Sequence, residues 1–81
     1  MDKRTYQRMV AELRQLSKRI DKLTVFRVTD TYENLSLREQ LMIEDQLLAM
    51  RRYHYMLKER IEYYEKEVTG DGRPFPENPA E

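Results

Sequence analysis

"QLLAMRRYHYMLKERI", residues 46–61, is the stretch on which the reading of the chain turns. Two adjacent arginines, two tyrosines and the single histidine of the chain sit among apolar residues there, which suits either a binding site or the packed side of a helix. Periodicity decides between them. Leu47, Met50, His54, Leu57 and Ile61 recur at spacings of three and four, and Tyr64 and Val68 continue the series. That repeat gathers residues onto one side of an α-helix. Met42, Ala49, Tyr53, Met56 and Tyr63 form a second row, turned roughly 100° from the first. Leu37, Leu41, Leu48 and Tyr55 form a third on the other side.

The first row needs a partner, and the N-terminal segment supplies one. Tyr6, Met9, Leu13, Leu16, Ile20 and Leu23 follow the same spacing, widened by Val10, and predict a helix over 3–24. The pattern lapses in "TVFRVTDTYENL", where β-branched residues, Asp30 and Asn34 favour a reversing loop over 25–35. Ser36 followed by Glu39 is a capping box, with Leu35 placed to staple it, and opens a helix predicted over 36–68. Thr69, Gly70 and Gly72 are expected to end that helix. The Pro- and Gly-rich segment 69–81 has too little apolar content to order itself and is predicted to be disordered.

One short helix covers one row of the longer one and leaves two rows bare. The expected fold is therefore all-α: an antiparallel helical hairpin with a short basic helix and a long second helix, assembling into a homo-oligomeric bundle of coiled-coil type. The methionines suit an adaptable interface.

Composition narrows the chemistry. The 15 basic and 15 acidic residues cancel, so the chain as a whole has no electrostatic attraction to nucleic acid or membrane, and both are disfavoured as partners. Absence of cysteine excludes disulfides and thiolate metal sites and fits a reducing compartment. A single histidine does not make a zinc site. The charged start "MDKRTYQR" lacks the apolar run of a signal peptide, and the expectation is a cytoplasmic protein of one domain. With no glycine-rich phosphate loop, nucleophile elbow or paired carboxylates in an apolar setting, the chain is expected to be neither an enzyme nor cofactor-dependent.

Sorted by helical angle, the opening stretch leaves one face for a ligand. Arg51, Tyr55 and Lys58 share it, with Arg52 beside them, and two cations flanking a ring suit a phosphate with a stacked base. A solvated face in which Arg51 pairs with Glu44 or Glu62 explains the same residues. His54 fits either a packed residue with one hydrogen bond, able to fix register, or a pH-sensing group. Arg60 with Tyr53, Met56, Tyr63 and Tyr64 suits a cation–π stack in an interface. On the first helix Arg14, Lys18, Arg19 and Lys22 either steer pairing against Glu59, Glu62 and Glu65 or contact phosphates.

Asn34, Leu35, Ser36, Glu39, Leu41, Gln46, Met50, Tyr53, Leu57, Arg60 and Ile61, preceded by "EL…LSKRIDKLTVF", carry a resemblance over residues 12–61. The pattern resembles small helical proteins of tailed bacteriophages named for a crAss-like phage gene product, which implies phage origin and a helical hairpin. "TYENLSLREQLMIEDQ" is also similar to the helical hairpin domain of phage anti-defence sponges, oligomers that sequester cyclic-nucleotide or related immune signals. That likeness implies a base-stacking role for Tyr32. The lysine those proteins use falls on Leu47 here, so Arg51 or a base from the first helix would have to replace its phosphate contact.

The function expected is thus a non-catalytic phage accessory protein of the infected bacterial cytoplasm, oligomeric and sequestering a cyclic-nucleotide or ADP-ribose-type signal. The expected ligand-binding residues are Arg51, Tyr55, Lys58, Arg52 and Tyr32. The alternative is a structural or adaptor protein that binds a host or virion protein through its apolar helix faces, with a nucleic-acid accessory role ranked third.

Overall fold

A computed structural model describes residues 2–71, with side-chain surroundings for residues 2–66. Three helices follow one another: α1 Lys3–Phe26, the single turn α2 Asp30–Glu33, and α3 Leu37–Asp71. No strand occurs among the described residues.

Local chemistry sets each boundary. The Asp2 carboxylate caps α1 by accepting from the Thr5 amide at 2.8 Å, filling one of the free donors of a helix start. At the other end α1 runs two residues beyond the predicted Thr24, through Val25 and Phe26. β-Branched residues weaken a helix without forbidding it. Thr24 bonds its hydroxyl to the Ile20 carbonyl at 2.7 Å, within the helix. The predicted loop is also partly helical. Thr29 donates its hydroxyl to the Phe26 carbonyl at 2.7 Å and accepts from the Tyr32 amide at 3.2 Å, closing α1 and capping α2 with one side chain.

The capping box that opens α3 is complete. Glu39 N–H donates to Ser36 Oγ at 3.2 Å, while the Ser36 amide and hydroxyl both donate to Glu39 Oε1, at 3.1 and 2.9 Å. Beyond Val68 the α3 backbone continues to Asp71, past the predicted end. A single glycine costs a helix about 1 kcal/mol and does not break it, so Gly70 alone is not a stop. Of the segment expected to be disordered, 69–71 is helical and 72–81 lies outside the described residues.

The core is the seam between the two long helices. Met9, Leu57, Ile61 and Tyr64 are buried together, with Tyr6, Val10 and Leu13 packed against them. Leu16 and Leu47 continue the buried line toward the loop. Cross-contacts link Ser17 to His54 and Arg27 to Glu44, and Tyr6 lies within the field of Glu65. Positions on α3 fall as those on α1 rise, so the two helices run in opposite senses. The molecule is a rod 54 Å long and 19 by 18 Å across.

Such a rod buries few side chains. Leu37, Leu41, Leu48 and Tyr55 of the third row are 56–70% exposed, and Met42, Tyr53 and Met56 of the second row 46–59%. No helix of the described residues is long and apolar enough to cross a membrane. Loss of packing should register chiefly on the seam. Leu57 is 2% exposed, and Leu57→Ala is expected to lower stability by about 2–5 kcal/mol, read by chemical denaturation followed by circular dichroism.

Candidate functional site

The polar structure of the molecule centres on Glu44. Arg27, just past the end of α1, brings its Nε to 2.8 Å from Glu44 Oε2, and the Tyr32 hydroxyl donates to the same oxygen at 2.8 Å. Gln40 donates to the Tyr32 carbonyl at 2.9 Å, one turn of α3 earlier. The Tyr32 ring meets Phe26 edge to face, with centroids 6.0 Å apart. One carboxylate thereby ties all three helices at the loop end. Accepting from Tyr32 and Arg27, with the Arg51 charge nearby, lowers the Glu44 pKa from its ordinary 4.5. The same hydrogen bond, with burial, raises that of Tyr32 above 10.0.

This arrangement alters two sequence expectations. Arg51 does not pair with Glu44, whose carboxylate is held by Arg27 and Tyr32, and acts on it only through space. Tyr32 is half-buried with its hydroxyl engaged, so only its ring remains available for stacking.

Two grooves flank the seam. One is lined by Ser17, Ile20, Asp21, Arg51 and His54. The His54 Nε2 lies 2.8 Å from Ser17 Oγ, the single hydrogen bond of a packed seam histidine. Ser17 also accounts for the polar position on an otherwise apolar stripe. The opposite groove, of about 280 Å³, runs between Arg19, Lys22 and Leu23 of α1 and Gln46 and Met50 of α3, with Phe26 at its loop end. Lys18, Arg19 and Lys22 stand level with residues 46–54 and not with the glutamates near the end of α3, and they make no ion pair among the described residues. These three bases are thus not opposed to Glu59, Glu62 and Glu65. Instead, Tyr53 donates its hydroxyl to Glu12 across this side, which raises the tyrosine pKa.

The expected ligand residues divide into two places. Arg51, Arg52, Tyr55 and Lys58 are exposed along α3, and Tyr55 is 61% exposed. None of the three cations is in an ion pair among the described residues. Tyr32 is fixed beside Glu44, three turns or about 16 Å along the helix axis from Tyr55. A single chain thus assembles the cations around Tyr55 but does not bring Tyr32 to them. Arg60 is exposed and its charge reaches Tyr53, while Tyr63 and Tyr64 pack edge to face at 5.1 Å. No group of three potential metal-ligating side chains occurs among the described residues.

The Sequestin family model matches residues 3–63, spanning α1, α2 and most of α3. The chain belongs to the Sequestin family. No curated protein and no solved structure matches it significantly. The family name denotes sequestration, a task that needs a holding surface and no reacting group. In this Sequestin chain the exposed cations and the two grooves lie within the matched span.

Sequence reasoning missed Arg27, Glu12 and Ser17, whose partners lie on another helix. Only a spacing rule linking positions across the loop could have paired them, and the loop's irregular geometry hides the offset. The Asp2 cap, by contrast, carried a local signal in its spacing to Thr5.

Glu44 generates a pH prediction. Its pKa is depressed on folding, so its stabilising contribution is full above the unfolded value near 4.5 and is lost as pH falls through the lower folded value. Thermal melts of the wild type should therefore drop more steeply below about pH 4.5 than those of Glu44→Gln, and parallel curves would remove Glu44 from that role.

Proposed function

We propose that this Sequestin-family protein is a non-catalytic sponge that binds and sequesters a nucleotide-type immune signal, acting as a phage counter-defence protein in the infected bacterial cytoplasm. The supporting observation is the exposed set Arg51, Arg52 and Lys58 around Tyr55 in a chain of this family, with no carboxylate bound to any of the three cations among the described residues. Cations held in no close ion pair can accept phosphate, and an exposed ring can accept a base. Sequestration requires only affinity, and a small chain gains a deep enough pocket by symmetric assembly of its helical hairpins.

The ligand class follows from this chemistry. Phosphates flanked by a flat ring are common to cyclic nucleotides and ADP-ribose derivatives, and calorimetry with a panel of both separates them. Arg51→Ala should weaken the bound member about 10- to 100-fold, the effect of losing a charge-assisted hydrogen bond, while leaving helical content unchanged. Equal loss of binding and of thermal stability would instead assign Arg51 to the scaffold.

A second reading, an adaptor for a host or virion protein, is favoured by the exposed second row, Met42, Tyr53 and Met56. Met42→Glu with Met56→Glu separates it from the first, because those substitutions spare the cations. Pull-down of a host or virion protein that the double variant loses, with no nucleotide bound by the wild type, would replace the sponge reading.

A further inference from the structure

The charges that cancel over the whole chain are not mixed in space. Glu12 and Asp21 are the only acids of α1. Helical angle sets Arg4, Arg8, Lys18, Arg19 and Lys22, with Ala11 and Gln15 among them, within an arc of about 100° on the side of α1 turned away from the seam. All of these residues are exposed. The row from Arg4 to Lys22 runs about 27 Å along the helix axis, and its cations make no ion pair among the described residues.

Acids lie to other sides. Glu12 accepts from Tyr53 on the α3 side of α1, and Asp21 lines the opposite groove with Arg51 and His54. Asp2 caps the start of α1. On α3, Glu44 is bonded to Arg27 and Tyr32, and Glu39 to Ser36 in the capping box. Asp45 and Glu59 each stand two residues from a buried seam leucine, Leu47 and Leu57. That spacing turns them about 160° away from α1. Salt screens exposed charges beyond about 8–10 Å, so the field over the outer side of α1 is set by the row itself and not by the neutral total.

We propose that the outer side of α1 is a docking surface for double-stranded nucleic acid, held through its phosphates without reading of the bases. A duplex presents about one negative charge per 1.7 Å of its axis, so a row of about 27 Å lies along roughly eight base pairs. Long cationic side chains spaced over that length suit a regular repeat of phosphates. Other anionic surfaces are matched less well. The row has no aromatic side chain on which unpaired bases could stack, and no large apolar side chain to enter a lipid surface. Arg51, Tyr55 and Lys58 are not part of it, so the inference stands independently of the nucleotide reading above.

Fluorescence anisotropy of a labelled DNA duplex of about 20 base pairs, titrated with the full chain, tests the surface. Binding should be insensitive to base sequence. Engagement of four or five phosphates should give a slope of about −4 in the logarithm of affinity against that of salt, roughly a 200-fold loss between about 50 and about 200 mM. Lys18→Glu/Lys22→Glu and Arg4→Glu/Arg8→Glu should each weaken binding at least about 10-fold and make the slope shallower by about 2, with helicity by circular dichroism retained. Arg38→Glu/Arg60→Glu changes the net charge equally but lies on α3, and should leave the slope unaltered. No duplex binding at low salt overturns the proposal, as does equal loss in the α3 control, which would assign the effect to net charge. Binding of a single strand, of poly-glutamate or of phosphatidylserine vesicles as tight as that of the duplex overturns it too.

Discussion

The constraint on which the structure depends is the mismatch between one short helix and the three apolar rows of a long one. α1 can shield only the row that faces it, and the seam of Met9, Leu16, Leu47, Leu57, Ile61 and Tyr64 is the result. Side chains there are withdrawn from water by packing against one neighbour, whereas a helix in a larger protein is usually covered on several sides. Every large apolar side chain on the back of α3 is left in solvent, which is an uncommon condition for a stable solitary chain. That deficit makes self-assembly a physical expectation for so small a core.

The loop end meets the same constraint with polar contacts. Having little apolar surface to bury, the chain closes its turn with Thr29 serving two helices and with Glu44 joining Arg27 and Tyr32. Charge-assisted hydrogen bonds are short and directional, so they fix angles that a few apolar contacts would leave loose. The consequence for function is that Tyr32 is held still. Its hydroxyl is engaged and its ring is set against Phe26, in a position determined by α3. An aromatic residue whose position is already fixed loses little entropy when a flat ligand stacks on it.

On the proposed reading, the surface of α3 around Tyr55 would serve to hold a ligand. Exposed positive charge and ring surface lie together there, at Arg51, Arg52, Tyr55 and Lys58. His54, the residue in the opening stretch most suggestive of catalysis, is occupied by Ser17 in the seam.

Much of this was legible in the sequence for a simple reason. Helical periodicity and the Ser36–Glu39 box are local, and a three- or four-residue spacing already states which side chains share a side. The seam, both long helices and the exposure of the remaining rows follow from that arithmetic. The sequence could not show which residues meet across the loop. Ser17 and His54, Glu12 and Tyr53, and Arg27 and Glu44 are joined by an offset that depends on how Thr29, Asp30 and Tyr32 fold the connection. Helix ends escaped for a related reason, since Val25 and Gly70 merely weaken a helix, and neighbouring hydrogen bonds decide whether it continues. Local pattern determined the elements and their faces. Only the tertiary structure decided which charges are spent on the fold and which remain for a partner, because pairing is a property of distance in space.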